Sequence, residues 1–142
     1  MESPAGSAPE GHIRLVCVDD SHLLIAAWER LLSAQPDIRV VGTSTSADGL
    51  VDLVLRRQPH VVMLDLTMRG RDALETISEI AASAPGSRVL VFSGVCDAAI
   101  VERCMAAGAW GFVAKHSDPL KVIAAVRAVA AGRVVLPDSL AD

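Results

Sequence analysis

Five residues of this 142-residue chain stand out because each follows directly on a short apolar run: Asp19 and Asp20 after 13–18, Asp65 after 61–64, Ser93 after 88–92 and Lys115 after 110–114. If those runs are strands of one sheet, three carboxylates, a hydroxyl and an ammonium meet at a single rim. Carboxylates so gathered repel one another, and at an effective dielectric of about 20 each close pair costs about 4 kcal/mol. A hard divalent cation with oxygen ligands relieves that repulsion. Mg2+ (or Mn2+), keeping several of its waters, suits a shallow cleft of this kind. An aspartate beside such an ion can attack phosphorus in line and give an acyl phosphate. Asp65 would be that nucleophile, Asp19 and Asp20 would share the ion with it, and Lys115 and the Ser93 hydroxyl would hold the remaining equatorial oxygens. Taken singly, an aspartate after a strand is commonly a helix cap, a Ser-Gly pair a turn and a lone lysine solvated. Their joint occurrence at four strand ends is what favours chemistry.

The elements that must position these residues alternate regularly. Strands are expected at 13–18, 38–42, 61–65, 88–92 and 110–114. Ser21 can cap a helix reaching about residue 35, with Leu23, Leu24, Ala27, Trp28, Leu31 and Leu32 at helical spacing, before Pro36 and Asp37 stop it. Further helices should open at Ser46 or Asp48, at Asp72, at Asp97 and at Ser117 or Asp118, the last with Pro119 in its first turn. Gly108 and Gly132 terminate the final two. Five strand–helix units of this length imply an α/β fold, (βα)5, with a doubly wound five-stranded parallel sheet covered by helices on both faces. The usual order for that class is 2-1-3-4-5, which places strands 1 and 3 beside the point where the order reverses, where ligands bind.

Composition narrows the remaining classes. Hydrophobic residues are 51% and charged residues 21%, which excludes a disordered chain. No apolar run is long enough to span a bilayer, and residues 1–12 lack the basic start and apolar stretch of a secretory signal. The expectation is a cytoplasmic protein with a flexible tail at 1–12, one domain at 13–131, and a tail or the start of a linker at 132–142. Net charge is -4 and the longest basic cluster is Arg56–Arg57, so no direct nucleic-acid contact is expected. Cys17, Cys96 and Cys104 sit among apolar neighbours without CxxC spacing, which points to free buried thiols. The four histidines show no metal-ligand spacing.

The segments VCVDDS (16–21), VVMLDLTM (61–68), VLVFSG (89–94) and AAGAWGFVAK (106–115) together resemble the receiver domain of bacterial two-component response regulators, with a CheY-like fold, over roughly residues 13–131. The resemblance implies that Asp65 is the phosphorylated aspartate and Asp20 a direct Mg2+ ligand. It also implies that Asp19 acts through a metal-bound water and that the backbone carbonyl of Thr67 completes the protein ligands. Ser93 would be the switch hydroxyl and Phe112 the switch aromatic, turning inward as Ser93 moves toward the phosphoryl group. The donor would be the phosphohistidine of a sensor histidine kinase or a phosphotransfer protein. The ending AAGRVVLPDSLAD, with His116 rather than proline after Lys115, is similar to the NarL/FixJ subfamily, in which a linker and a LuxR-type DNA-binding domain normally follow. The family usually reads DxxMPGxDGxE after its acceptor, whereas this chain reads DLTMRGRDALE, with Arg69 for proline and Ala73 for glycine. A changed rate of phosphorylation or dephosphorylation is one consequence; an Arg69 that simply faces solvent is the other.

For the output surface, alternation along the last strand puts Trp110, Phe112 and Ala114 on one face, and Lys115 on the other with Gly111 and Val113. Trp110 is then a candidate partner anchor. The last helix is apolar on more than one side, so Val122, Val126 and Val129 are further candidates for a partner surface, with a homodimer through that helix as the expectation. Two other functions compete. A Mg2+-dependent phosphohydrolase or nuclease would want a second acid two residues after Asp65, where Thr67 stands. A pseudo-receiver would signal by interaction alone.

Overall fold

The computed structural model describes residues 11–66 and 72–138. Its elements run β1 (Ile13–Val18), α1 (His22–Ser33), β2 (Ile38–Ser44), α2 (Leu50–Arg57), β3 (Val61–Leu64), α3 (Ala73–Ser83), β4 (Arg88–Ser93), α4 (Ala98–Ala107), β5 (Gly111–Ala114) and α5 (Pro119–Ala130). The sheet is five-stranded and parallel throughout, in the order β2-β1-β3-β4-β5. The strands are short and almost wholly apolar because both faces are covered. Leu15, Cys17, Val61, Met63 and Leu90 point into a core completed by α1 and α5. Val16, Val18, Val62, Leu64, Val89 and Val91 point the other way, against α2, α3 and α4. Each fully buried Leu, Ile or Val contributes about 1.5–3 kcal/mol relative to an exposed one.

Caps explain where most helices begin. Ser21, Asp72, Asp97 and Asp118 each accept a backbone N–H from the first turn with their side chains. Gly108, at φ 119°, ends α4, and an added Cβ there would meet Ala81 at 2.8 Å. Helix α2 departs from expectation. It starts at Leu50 after a left-handed Gly49, because the Ser44, Ser46 and Asp48 region folds into side-chain-bonded turns instead of capping. Strand β2 runs two residues further than expected, to Ser44, and pairs with β1 through a bulge: Leu15 faces Val40, while Val16 faces Gly42.

Two helix faces are corrected. In α1 the buried stripe is Ile25, Trp28 and Leu32, whereas Leu23 is 82% exposed. In α5, Val122, Val126 and Val129 are wholly buried and form the sheet-facing stripe, which removes them as a partner surface. What α5 shows to solvent is Leu120, Lys121, Ala124 and Arg127. Beyond α5 the chain turns back: Phe112 N donates to Val135 O at 3.0 Å and Val135 N to Trp110 O at 3.1 Å, so residue 135 bridges the outer edge of β5. Cys17 and Cys104 are buried thiols as expected, but Cys96 is only half-buried, since it lies in the loop between β4 and α4. Burial raises the Cys17 thiol to about 12 and the Cys104 thiol to about 11.

Arg127 of α5 forks onto Asp37 with bonds of 2.9 and 3.0 Å and reaches Gln35, tying α5 to the loop before β2. The hydrogen bond from Arg127 holds the Asp37 carboxyl below its ordinary value. A depressed carboxyl contributes stability above its unfolded pKa and loses it as pH falls through the folded one. Arg127→Ala should therefore lower stability by less than about 1 kcal/mol at neutral pH, in keeping with an exposed pair, with the difference shrinking below about pH 4. Urea unfolding at several pH values measures it.

Candidate functional site

Asp19, Asp65 and Lys115 are fixed because the backbone ladders continue past the strands. Asp19 N donates to Ser44 O at 3.1 Å, Asp65 N to Val18 O at 3.0 Å and Lys115 N to Ser93 O at 2.9 Å. All three residues are thus held at the same rim of the sheet, beside the reversal between β1 and β3. One carboxylate oxygen from each of Asp19, Asp20 and Asp65 lies within 4.8 Å of the others. Asp65 is wholly buried and Asp19 nearly so, while Asp20 faces solvent. The Lys115 ammonium reaches Asp19 Oδ2 at 2.9 Å and Asp65 Oδ2 at 3.3 Å. The sequence-derived cluster of three acids and one amine exists.

The surroundings orient these groups. Ser21 N donates to Asp19 Oδ1 at 3.0 Å, and the Ser21 hydroxyl accepts from Leu24 N at 3.1 Å, so the start of α1 fixes the first acid. Phe92 was missed by sequence reasoning. Its ring centroid lies 5.7 Å from Lys115 Nζ, and the ring meets Trp28 edge-on at 5.2 Å. A strand residue that looks purely structural thereby forms an apolar floor under the cation. Only its placement next to Ser93, beside the rim, could have signalled it. Burial alone would lower the Lys115 ammonium, but its close ionic contact with Asp19 and the charge of Asp65 outweigh it and leave the group raised. The cation is firmly charged.

Ser93 ends β4 wholly buried, its hydroxyl accepting from Val95 N at 3.1 Å. Phe112 is wholly buried on the α2–α4 face. Trp110 does not share that face. It precedes β5, so strand alternation does not govern it, and it packs half-buried toward α1 and α5 with the Arg88 guanidinium 4.7 Å from its ring centroid. Thr67 and Arg69 lie outside the described residues. Ala73 is the first residue of α3, directly after the Asp72 cap.

The donor set fits a hard cation. One ammonium faces three carboxylates, leaving two negative charges in excess. Asp19 Oδ2 is buried and, although near Lys115, receives no well-directed hydrogen bond. Such a set calls for further positive charge from a metal with oxygen preference.

A family model described as the response regulator receiver domain matches residues 15–127. The chain is 30% identical over 126 residues to the nitrate/nitrite response regulator protein NarL of Escherichia coli K12, covering 89% of this chain and 58% of that one. It is 29% identical over 131 residues to the transcriptional regulatory protein DesR of Bacillus subtilis, covering 92% and 65%. It therefore spans less than two thirds of the length of these relatives. Among solved structures, a LuxR-family two-component response regulator from Aurantimonas sp. SI85-9A1 superposes with a TM-score of 0.86 at 29% identity, covering 92% and 93% of the two chains. The signal receiver domain of NarL from Mycobacterium tuberculosis does so with a TM-score of 0.82 at 30% identity, covering 87% and 99%.

Lys115→Met strips two buried carboxylates of their counter-charge. The expected loss at neutral pH is about 2 kcal/mol, short of the fully buried case because Lys115 is partly exposed. Since a raised lysine stabilises below its unfolded pKa and stops doing so as pH climbs through the folded one, wild type and variant should converge in strong alkali. Thermal unfolding at pH 7 and through the alkaline range above 10.5 checks both points.

Proposed function

Because the chain belongs to the response regulator receiver domains of the NarL/LuxR kind, we propose that Asp65 accepts a phosphoryl group from the phosphohistidine of a sensor histidine kinase or a phosphotransfer protein. The observation that carries this is the Lys115 ammonium lying within 3.3 Å of both the buried Asp65 and Asp19, with the Asp20 carboxylate in the same cluster. Response regulator receiver domains are signalling proteins rather than turnover enzymes, and that separates the reading from a phosphohydrolase.

In the transfer, an Asp65 oxygen bonds to phosphorus as the donor's nitrogen–phosphorus bond breaks, and the electron pair returns to the imidazole. Lys115 needs no protonation step, being already a cation, and can follow the charge from the carboxylate onto the phosphoryl oxygens. The Ser93 hydroxyl would take a second oxygen, exchanging its Val95 contact for it. Asp20, Asp65 and Thr67 O would hold Mg2+ directly and Asp19 through a water; when bound, the ion supplies positive charge that lowers the repulsion between the acids and the incoming phosphoryl group.

Movement of Ser93 would favour the buried position of Phe112 and so change the surface around α4, β5 and α5. The signal would pass, in the cytoplasm, to a DNA-binding output domain of the kind expected to follow this linker. A homodimer through α5 would have to use its solvent face, where Leu120 is 72% exposed.

Incubation with acetyl phosphate and Mg2+ should add one phosphoryl group per chain, detectable by intact mass and lost with Asp65→Asn or with EDTA. No uptake by the wild type would overturn the proposal in favour of an interaction-only module. Multiple-turnover release of phosphate from simple phosphoesters would favour the hydrolase. Mg2+ should also raise the melting temperature, by the equivalent of about 2.7 kcal/mol at a hundredfold excess over its Kd. Asp20→Asn should remove most of that gain while stabilising the metal-free protein.

A further inference from the structure

Residues 134–138 lie across the edge of β5 and are held at two separated points. One is the pair of hydrogen bonds joining Val135 to Trp110 O and Phe112 N. The other is an ion pair between Asp138 and Lys121 of α5, beside the buried Pro137. Between them the segment overlies a groove of about 830 Å³, lined by Phe112, Ala124, Ala125, Ala128 and Leu136 among others. Close approach at the first anchor depends on Gly111, where an added Cβ would sit 2.9 Å from Leu90, 3.0 Å from Val129 and 3.3 Å from Val135. The ion pair is fully solvated and adds little.

One residue belongs to both sides of this arrangement. The Phe112 N–H is an anchor of the segment, its ring fills the core against α3 and α4, and the residue is also one of those lining the groove. Side chains occupy staggered positions, and Phe112 and Leu136 line the same groove. We propose that residues 134–138 are a strap that reads the position of Phe112. With the ring buried, the strap stays anchored on β5. With the ring in the groove, the anchors at Val135 and Asp138 cannot both be kept, and the strap lifts. The inference rests on the phosphoacceptor reading, because phosphorylation is what favours the buried ring. On this account phosphorylation fastens the strap and sets the direction in which the chain leaves the domain.

Amide exchange by NMR on the full chain, with and without beryllofluoride and Mg2+ as the phosphoryl mimic, tests it. Protection of the Val135 and Phe112 amides should rise at least about fivefold with the mimic, the lower range for coupled sites. By reciprocity, Val135→Pro, which deletes one anchor of the strap, should weaken beryllofluoride binding by a similar factor. In Phe112→Leu, which has no ring to displace the strap, Val135 protection should no longer respond to the mimic. If the mimic shifts the Lys115 and Asp65 resonances but leaves Val135 exchange unchanged, the strap is refuted and the phosphoacceptor stands. If those resonances do not move at all, both fall.

Discussion

A carboxylate with no solvent exposure needs a compensating charge, and much of this molecule serves that requirement at Asp65. The residue sits one position beyond β3, where its N–H still belongs to the ladder with β1, so its backbone cannot retreat from the core. Its compensation arrives from two strands away, through Lys115 at the end of β5. The sheet order brings those ends to one rim, and the two-sided cover of helices keeps the strands short and straight enough to hold them there. Phe92 and Trp28 keep the floor beneath the ammonium dry. The result is a polar cluster that stays under electrostatic stress until more positive charge arrives.

The opposite end of the sheet handles polarity differently. Arg14 donates its backbone N–H to His60 Nδ1 at 2.9 Å and its side chain to the carbonyls of Arg57 and Gln58. Burial, then the charges of Arg14 and Arg88, hold the His60 imidazole below its ordinary range, consistent with an accepting Nδ1. Ser87 donates to Pro59 O at 2.6 Å, and Arg88 donates to the carbonyls of Val129 and Ala130 at the end of α5. There the cations meet carbonyls and an aromatic ring instead of other charges. At the carboxyl ends of the strands, anions meet anions.

Most of this was legible in the chain because the strongest signals were local. Apolar runs ending in Asp, Ser or Lys located the strands and the site together, and Ser21, Asp72, Asp97 and Asp118 announced helix starts through capping chemistry. What failed depended on rotational phase. Helix α5 carries valines and alanines around much of its circumference, so periodicity could not say that Val122, Val126 and Val129 were the inner stripe. In α1, Leu23 and Ile25 are equally apolar, and tertiary packing chose Ile25. Trp110 was misplaced because strand alternation was extended one residue beyond the strand. Phe92 offered no signal of its own, as its role exists only once Lys115 arrives above it.

The bulge in β2 has a consequence at the scale of many molecules. An open sheet has two borders whose unpaired peptide groups invite a strand from another copy. At one border the returning chain at Val135 already occupies positions beside Gly111 and Phe112. At the other, the extra residue between Val40 and Gly42 breaks the regular spacing that a foreign strand would need, and Arg39 presents a charge to solvent. Growth of the sheet from molecule to molecule is therefore obstructed on both sides, which steers any self-recognition toward the helices and away from fibre-like stacking.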